Sequence, residues 1–160
     1  NEKENKMSAV AKKLEDLSIE IPTASKPAAN YVPYMISGKQ VIISGQIPFV
    51  KGSVEGQVGK LGADFSIEQG QSVARVCAIN IISQLREACN GNLDKAKCLR
   101  LGVFVNSTPE FTEHPAVANG ASDLIAQVFG ERGKHARAAV GVAGLHFGVA
   151  VEVEAIFEIE

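Results

Sequence analysis

Apolar residues recur along the chain with two different periods, and each change of period marks the edge of an element. Val10, Leu14 and Leu17 return at helical spacing in a charged segment that Pro22 closes, predicting a short amphipathic helix packed on the outside. Residues 24–30 are Ser, Pro, Ala, Asn and Lys, a connector, after which residues 31–36 and 39–47 read as strands flanking Ser37-Gly38, a hairpin signal. Gly52, Gly56, Gly59 and Gly62 make the next stretch a loop or irregular edge. Ser66 and Gln69 form a capping-box pattern, and Ala74, Cys77, Ala78, Ile81, Leu85 and Ala88 then repeat every three or four residues until Asn90-Gly91-Asn92, which predicts a long helix. Residues 97–106 alternate as a strand with Leu99, Leu101, Val103 and Val105 on one face. Pro115 opens a second helix with Val117, Ala121, Leu124, Ile125, Val128 and Phe129 as its buried stripe, ended by Gly130. Residues 136–143 and 149–159 close the chain as two strands of a hairpin around residues 144–148.

This order predicts an α+β fold: two long helices on one face of a mixed sheet of about five strands, the other face left for a partner, most economically an identical copy. At 160 residues the chain is expected to form one domain spanning 7–160, with 7–30 as N-terminal helix and connector, 31–160 as core, and residues 1–6 as upstream sequence. Hydrophobic residues at 46% and charged residues at 21% argue against both a disordered chain and a membrane protein. No apolar or Arg-rich leader follows Met7, and the expected location is cytoplasmic. Sixteen basic and eighteen acidic residues are dispersed, with a pI near 6.0 and no basic stripe, which argues against a nucleic-acid partner.

Cys77, Cys89 and Cys98 sit in apolar segments without metal spacing and are expected as buried, reduced thiols. His114, His135 and His146 lack the spacing and carboxylate company of a metal set, so no metal is expected. No GK[ST] closes the glycine-rich loop, which removes the phosphate-cradle reading. The sequon Asn106-Ser107-Thr108 is read as a turn.

In the last ribbon, alternation puts Val140 and Val142 with Val149, Val151 and Val153 on one face, and Arg137, Ala139, Gly141 and Ala143 with Glu152 and Glu154 on the other. A guanidinium beside small side chains describes a carboxylate-binding pocket, because its planar fork matches a carboxylate bidentately. The alternative from the same pattern is a solvated cross-strand ion pair of Arg137 with Glu152 or Glu154. Tyr31 and Tyr34 are either strand aromatics or pocket residues.

The run Ala136-Arg137-Ala138-Ala139-Val140-Gly141-Val142-Ala143-Gly144-Leu145, followed by Val151-Glu152-Val153-Glu154-Ala155-Ile156, resembles the C-terminal signature of the Rid (YjgF-type) reactive-intermediate deaminases. Ser44-Gly45-Gln46-Ile47-Pro48 resembles the N-terminal signature and Val103-Phe104-Val105 the central strand of that family. The extra N-terminal helix and the segment Asn119-Gly120-Ala121-Ser122-Asp123-Leu124 resemble a longer subgroup. The resemblance implies a chorismate-mutase-like homotrimer with sites between subunits, and hydrolysis of enamine and imine acids such as 2-aminoacrylate to 2-keto acids and ammonia without a cofactor. It also implies that Arg137 holds the substrate carboxylate, Glu152 orients the attacking water, and Tyr31, Gly45, Asn119 and Ala139 line the pocket. Two positions depart from the pattern: Ala139 stands where a cysteine is frequent, and His146 where a proline follows the leucine. Two other functions remain open at this point: a non-catalytic trimer binding small carboxylates or proteins, and the endoribonuclease or translation inhibitor after which some members are named.

Overall fold

The structure is a computed structural model and describes residues 8–27 and 29–160; residues 1–6, read above as upstream sequence, lie outside the described residues. The elements are α1 (Ala9–Asp16), β1 (Tyr34–Ser37), β2 (Gln40–Gln46), α2 (Ile67–Ala88), β3 (Ala96–Asn106), α3 (His114–Phe129), β4 (Ala136–Val142) and β5 (Val151–Ile159).

Local sequence explains most boundaries. The Ser66 hydroxyl accepts from the Gln69 amide while the Gln69 side chain accepts from the Ser66 amide, so two otherwise orphaned donors at the start of α2 are satisfied. α3 opens with Pro in its first turn and stops at Gly130, whose φ of +61° suits a residue without Cβ. α1 is tied in more firmly than an outside accessory: the Ala9 and Val10 amides donate to the Asp94 carboxylate at 3.2 and 2.9 Å, and Val10 and Leu14 join the core.

The sheet runs in the order β1-β2-β5-β3-β4, with β3 and β4 parallel and the other neighbours antiparallel. α2 and α3 cover one face, packed on Val41, Ile43, Leu101, Val103, Val105, Val151, Val153, Ala155 and Phe157. The other face carries Met35, Ile42 and Val140, all exposed, with an Arg100–Glu154 ion pair at 3.4 Å. Among the described residues no helix is long and apolar enough to cross a membrane, and no cluster of His, Cys, Asp or Glu is arranged to hold a metal ion. All three cysteines are free and buried.

The structure corrects several expectations. The last two strands are not a hairpin: β3 lies between β4 and β5, because α3 carries the chain from β3 to a parallel neighbour and residues 143–150 then cross the end of β3 to reach its other side. The faces of β4 change accordingly. Leu101, Val103 and Val105 pair with Arg137, Ala139 and Gly141, which puts these three on the helix face, while Val140 is 46% exposed on the open face. Glu152 and Glu154 pair with Phe104 and Gly102, away from the helices, so Arg137 does not share a face with either carboxylate. In β3 a bulge between Cys98 and Arg100 shifts the alternation, and Cys98 takes the core position expected for Leu99. The β1–β2 turn is Gly38-Lys39, one residue later than expected, since Ser37 pairs with Gln40 and the positive φ falls on Gly38. Tyr31 precedes β1 and is exposed, not a strand residue.

α3 lies tight against α2 at Gly120, where an added Cβ would overlap the Gln71 carbonyl. Gly120→Ala is expected to destabilise by about 1 to 3 kcal/mol through overpacking, lowering the thermal midpoint by several degrees. Gly144→Ala, with open space around it, serves as the neutral control in the same melting experiment.

Candidate functional site

The predicted site residues fall into two groups at different places on the chain. The first sits where β4 meets the start of α3. Arg137 reaches across to α3 and donates from one nitrogen to Asn119 Oδ1 at 2.8 Å and Ser122 Oγ at 3.1 Å, and from the other to the Pro115 carbonyl at 3.4 Å. Asn119 and Ser122 are three residues apart on a helix and therefore share a face, which is what lets both meet one guanidinium. Ser122 is itself held: its Oγ lies 2.8 Å from His135 Nε2, and His135 Nδ1 lies 2.6 Å from the Gly133 carbonyl. The carbonyl can only accept, so Nδ1 donates, and the Ser122 oxygen, in contact with Nε2, accepts from Arg137.

Every acceptor on Arg137 is neutral, and among the described residues no carboxylate pairs with it. The ion-pair alternative is thus excluded for this chain: Glu154 pairs with Arg100, and Glu152 lies on the opposite sheet face. Ala139 and Gly141 follow Arg137 along the same face of the strand. An added Cβ on Gly141 would come within 2.8 Å of Ser107 Oγ and meet His114, whose Nε2 is 3.1 Å from that hydroxyl.

The second group surrounds a cavity of about 470 Å³. Its walls are the connector (Ser25, Lys26, Pro27, Ala29, Tyr31), the end of β2 with the loop beyond it (Gly45, Gln46, Ile47, Phe49), Gln84 of α2, the turn residues His146 and Phe147, and Glu152 of β5. A register shift between Ile43 and Gln46 bends β2 here. Gly45 matters because the Glu152 side chain lies against it: a Cβ there would stand 3.0 Å from the carboxyl carbon. The connector is strapped over α2 by Ser83 donating to the Pro22 carbonyl at 2.7 Å and Gln84 donating to the Ser25 carbonyl at 2.7 Å. Burial pushes the Glu152 carboxyl above its ordinary range and Glu154 adds to this, while His146 draws it partly back.

Of the predicted residues, Arg137, Asn119 and Ala139 therefore gather in one group and Tyr31, Gly45 and Glu152 in the other; a single chain does not bring the two together. Ser122, Phe49, Phe147 and Gln84 were not singled out as site residues from the sequence. Ser122 was detectable, as the residue one helical turn after Asn119. The others depend on how the connector and two loops fold back over β2, for which no local pattern exists.

The family model described as YjgF/chorismate mutase-like, putative endoribonuclease, matches residues 11–147. Protein TCP17 of Trypanosoma cruzi is 53% identical over 153 residues, covering 94% of both chains. A crystal structure of a protein of unknown function from Agrobacterium tumefaciens superposes with a TM-score of 0.88 at 44% identity, covering 95% of this chain and 93% of that one. That of a putative endoribonuclease from Shewanella oneidensis gives 0.90 at 33% identity, covering 95% of this chain and 100% of the other.

The raised pKa of Glu152 has a consequence for stability. The folded protein holds this proton more tightly than the unfolded chain, so the carboxyl contributes nothing adverse at low pH and becomes a cost as pH rises from the ordinary carboxylate range through its raised folded value. Glu152→Gln is expected to melt at a higher temperature than the parent at pH 7, with the difference vanishing in acid. A lower midpoint at pH 7 would contradict a burial cost.

Proposed function

The chain belongs to the YjgF/chorismate-mutase-like family, and on that basis we propose that it hydrolyses reactive 2-imino and 2-enamino acids to 2-keto acids and ammonia in clefts between copies of itself. The observation that carries this reading is the guanidinium of Arg137, fixed by three neutral acceptors and, among the described residues, without a carboxylate partner. A cation held in place and uncompensated is prepared for an anionic ligand, and its planar fork suits the carboxylate of an imino acid.

The chemistry asks for little more. An imine carbon is already electrophilic, so the protein has to place substrate against water and move protons. Glu152, its carboxyl shifted upward by burial, is a base able to take a proton from water attacking the C=N carbon. Tyr31, Gly45 and the aromatic rings of Phe49 and Phe147 surround the remainder of the substrate, and Asn119 and Ala139 flank the carboxylate. No cofactor enters this reaction.

Because Arg137 and Glu152 lie on opposite sheet faces of one chain, the site is completed by a second copy: the Arg137 edge of one subunit closes the Glu152 cavity of the next. A homotrimer with three such clefts, joined through the open sheet face bearing Met35, Ile42 and Val140, is the assembly this reading requires. The endoribonuclease of the relatives' names is less well supported by this chain's charge, since 16 basic residues against 18 acidic ones, without a stripe, offer little to a polyphosphate.

Arg137→Ala is expected to remain folded and to lose about two to four decades of 2-iminobutyrate hydrolysis, the rate equivalent of roughly 3 to 5 kcal/mol for a desolvated charge pair. Near-normal turnover refutes the assignment, and binding of the substrate carboxylate without ammonia release by the parent protein would favour a non-catalytic carboxylate-binding trimer. Mixing Arg137→Ala and Glu152→Gln chains, each inactive alone, and refolding them together should restore about one quarter of the sites if each site takes one residue from either copy, and none if both come from one chain.

A further inference from the structure

Hydrolysis of a C=N bond moves protons at two atoms at once. The attacking water must lose one, and the nitrogen must gain them before it can leave as ammonia. Glu152 can serve one of these atoms at a time. The cavity contains a second titratable group suited to the other, the imidazole of His146.

His146 sits in the 3-10 turn (His146–Gly148) that links β4 to β5 and opens onto the same cavity as Glu152. The turn is held in an unusual backbone shape. Phe147 is a non-glycine residue at φ +57°, a strained conformation that persists only where the surroundings impose it. Several contacts impose it here: Phe147 packs edge-on against Phe49 at 6.3 Å, the Gly148 amide donates to the Leu145 carbonyl at 2.8 Å, and the Gly59 amide donates to the Gly148 carbonyl at 3.0 Å. The His146 ring, exposed on the single chain, lies 3.8 Å from the Phe147 ring, tilted by 34°, and lines the cavity. The other charged or titratable groups facing this space are Lys26 and Tyr31 from the connector and Glu152 itself, with Glu154 two residues along β5. His146 is close enough to Glu152 to oppose the upward shift caused by burial and Glu154.

We propose that His146 is the second acid/base group of this site, the proton donor to nitrogen that works opposite Glu152. The inference rests on the imine-hydrolase reading above. In the first step water oxygen bonds to the imine carbon, its proton passes to the Glu152 carboxylate, and the His146 imidazolium protonates the nitrogen as the C=N π bond breaks. The product is the carbinolamine, with Glu152 protonated and His146 neutral. In the second step Glu152 returns its proton to the amine, the C–N bond breaks, ammonia leaves, and the hydroxyl proton passes to His146 as the C=O bond forms. Both groups end as they began. An imidazole suits this exchange because it changes charge in the neutral range.

The test uses the purified full-length oligomer and 2-iminobutyrate, comparing His146→Gln and His146→Ala with the parent and with Arg137→Ala. Turnover is expected to fall about 100-fold in both His146 variants with KM little changed. The parent's kcat should rise with ionisation of Glu152 and carry an alkaline limb that His146→Gln lacks. Added imidazole should restore a saturable part of the His146→Ala rate and do nothing for Arg137→Ala. Parent-like kcat and an unchanged pH profile in both variants, while Arg137→Ala is inactive, would overturn the role of His146 and leave the hydrolase reading standing. Absence of imine hydrolysis by the parent itself would overturn both.

Discussion

The placement of the candidate site residues depends on one topological feature: β3 and β4 are parallel neighbours joined through α3, and β5 enters the sheet on the other side of β3. That puts β4 at the edge of the sheet with α3 directly above it. A long side chain on its helix face has nowhere to go except along α3, which is why Arg137 ends on Asn119, Ser122 and the Pro115 carbonyl. The same insertion makes β5 a central strand whose alternate residues, Val151, Val153, Ala155 and Phe157, are wholly buried, so Glu152 and Glu154 are forced to the opposite face. Cation and carboxylate are separated by the sheet itself.

This separation explains the character of each half. Had Arg137 met Glu152 within the chain, the two charges would have neutralised one another, and neither would be available to a ligand. Kept apart, the guanidinium is oriented by neutral groups, and the carboxylate is pressed against Gly45 in a half-buried wall where its charged form is disfavoured. The second condition costs stability in the isolated chain once the carboxyl ionises.

The glycines at the site have a shared logic that differs from turn-making. Gly45 leaves room for a carboxylate, Gly141 for the Ser107–His114 pair, and Gly102 for the Arg100–Glu154 pair on the open face. In each case the missing Cβ is replaced by a polar side chain from a neighbouring strand or helix. The sheet thus carries polar groups close to its backbone on both faces without opening the hydrophobic layer beneath α2 and α3.

Periodicity and capping chemistry, which are local, were enough to locate α2 with its Ser66 and Gln69 cap, α3 with Pro115 and Gly130, and the existence of every strand, because each signal is carried by residues within one or two turns of one another. The motifs around Arg137 and Glu152 were likewise legible as a resemblance to a family, and the match over residues 11–147, which takes in Arg137 and stops short of Glu152, agrees with that family. What alternation could not supply was the neighbour of each strand. A residue's face along β4 is defined only relative to the strand beside it, so treating β5 as that strand placed Arg137 with Glu152, whereas pairing with β3 placed them apart. A one-residue bulge at Leu99 inverted the pattern in β3 for the same reason. The cavity behind Glu152 depends on a connector, a loop and a turn distant in sequence, and only their packing over α2 decided that it exists.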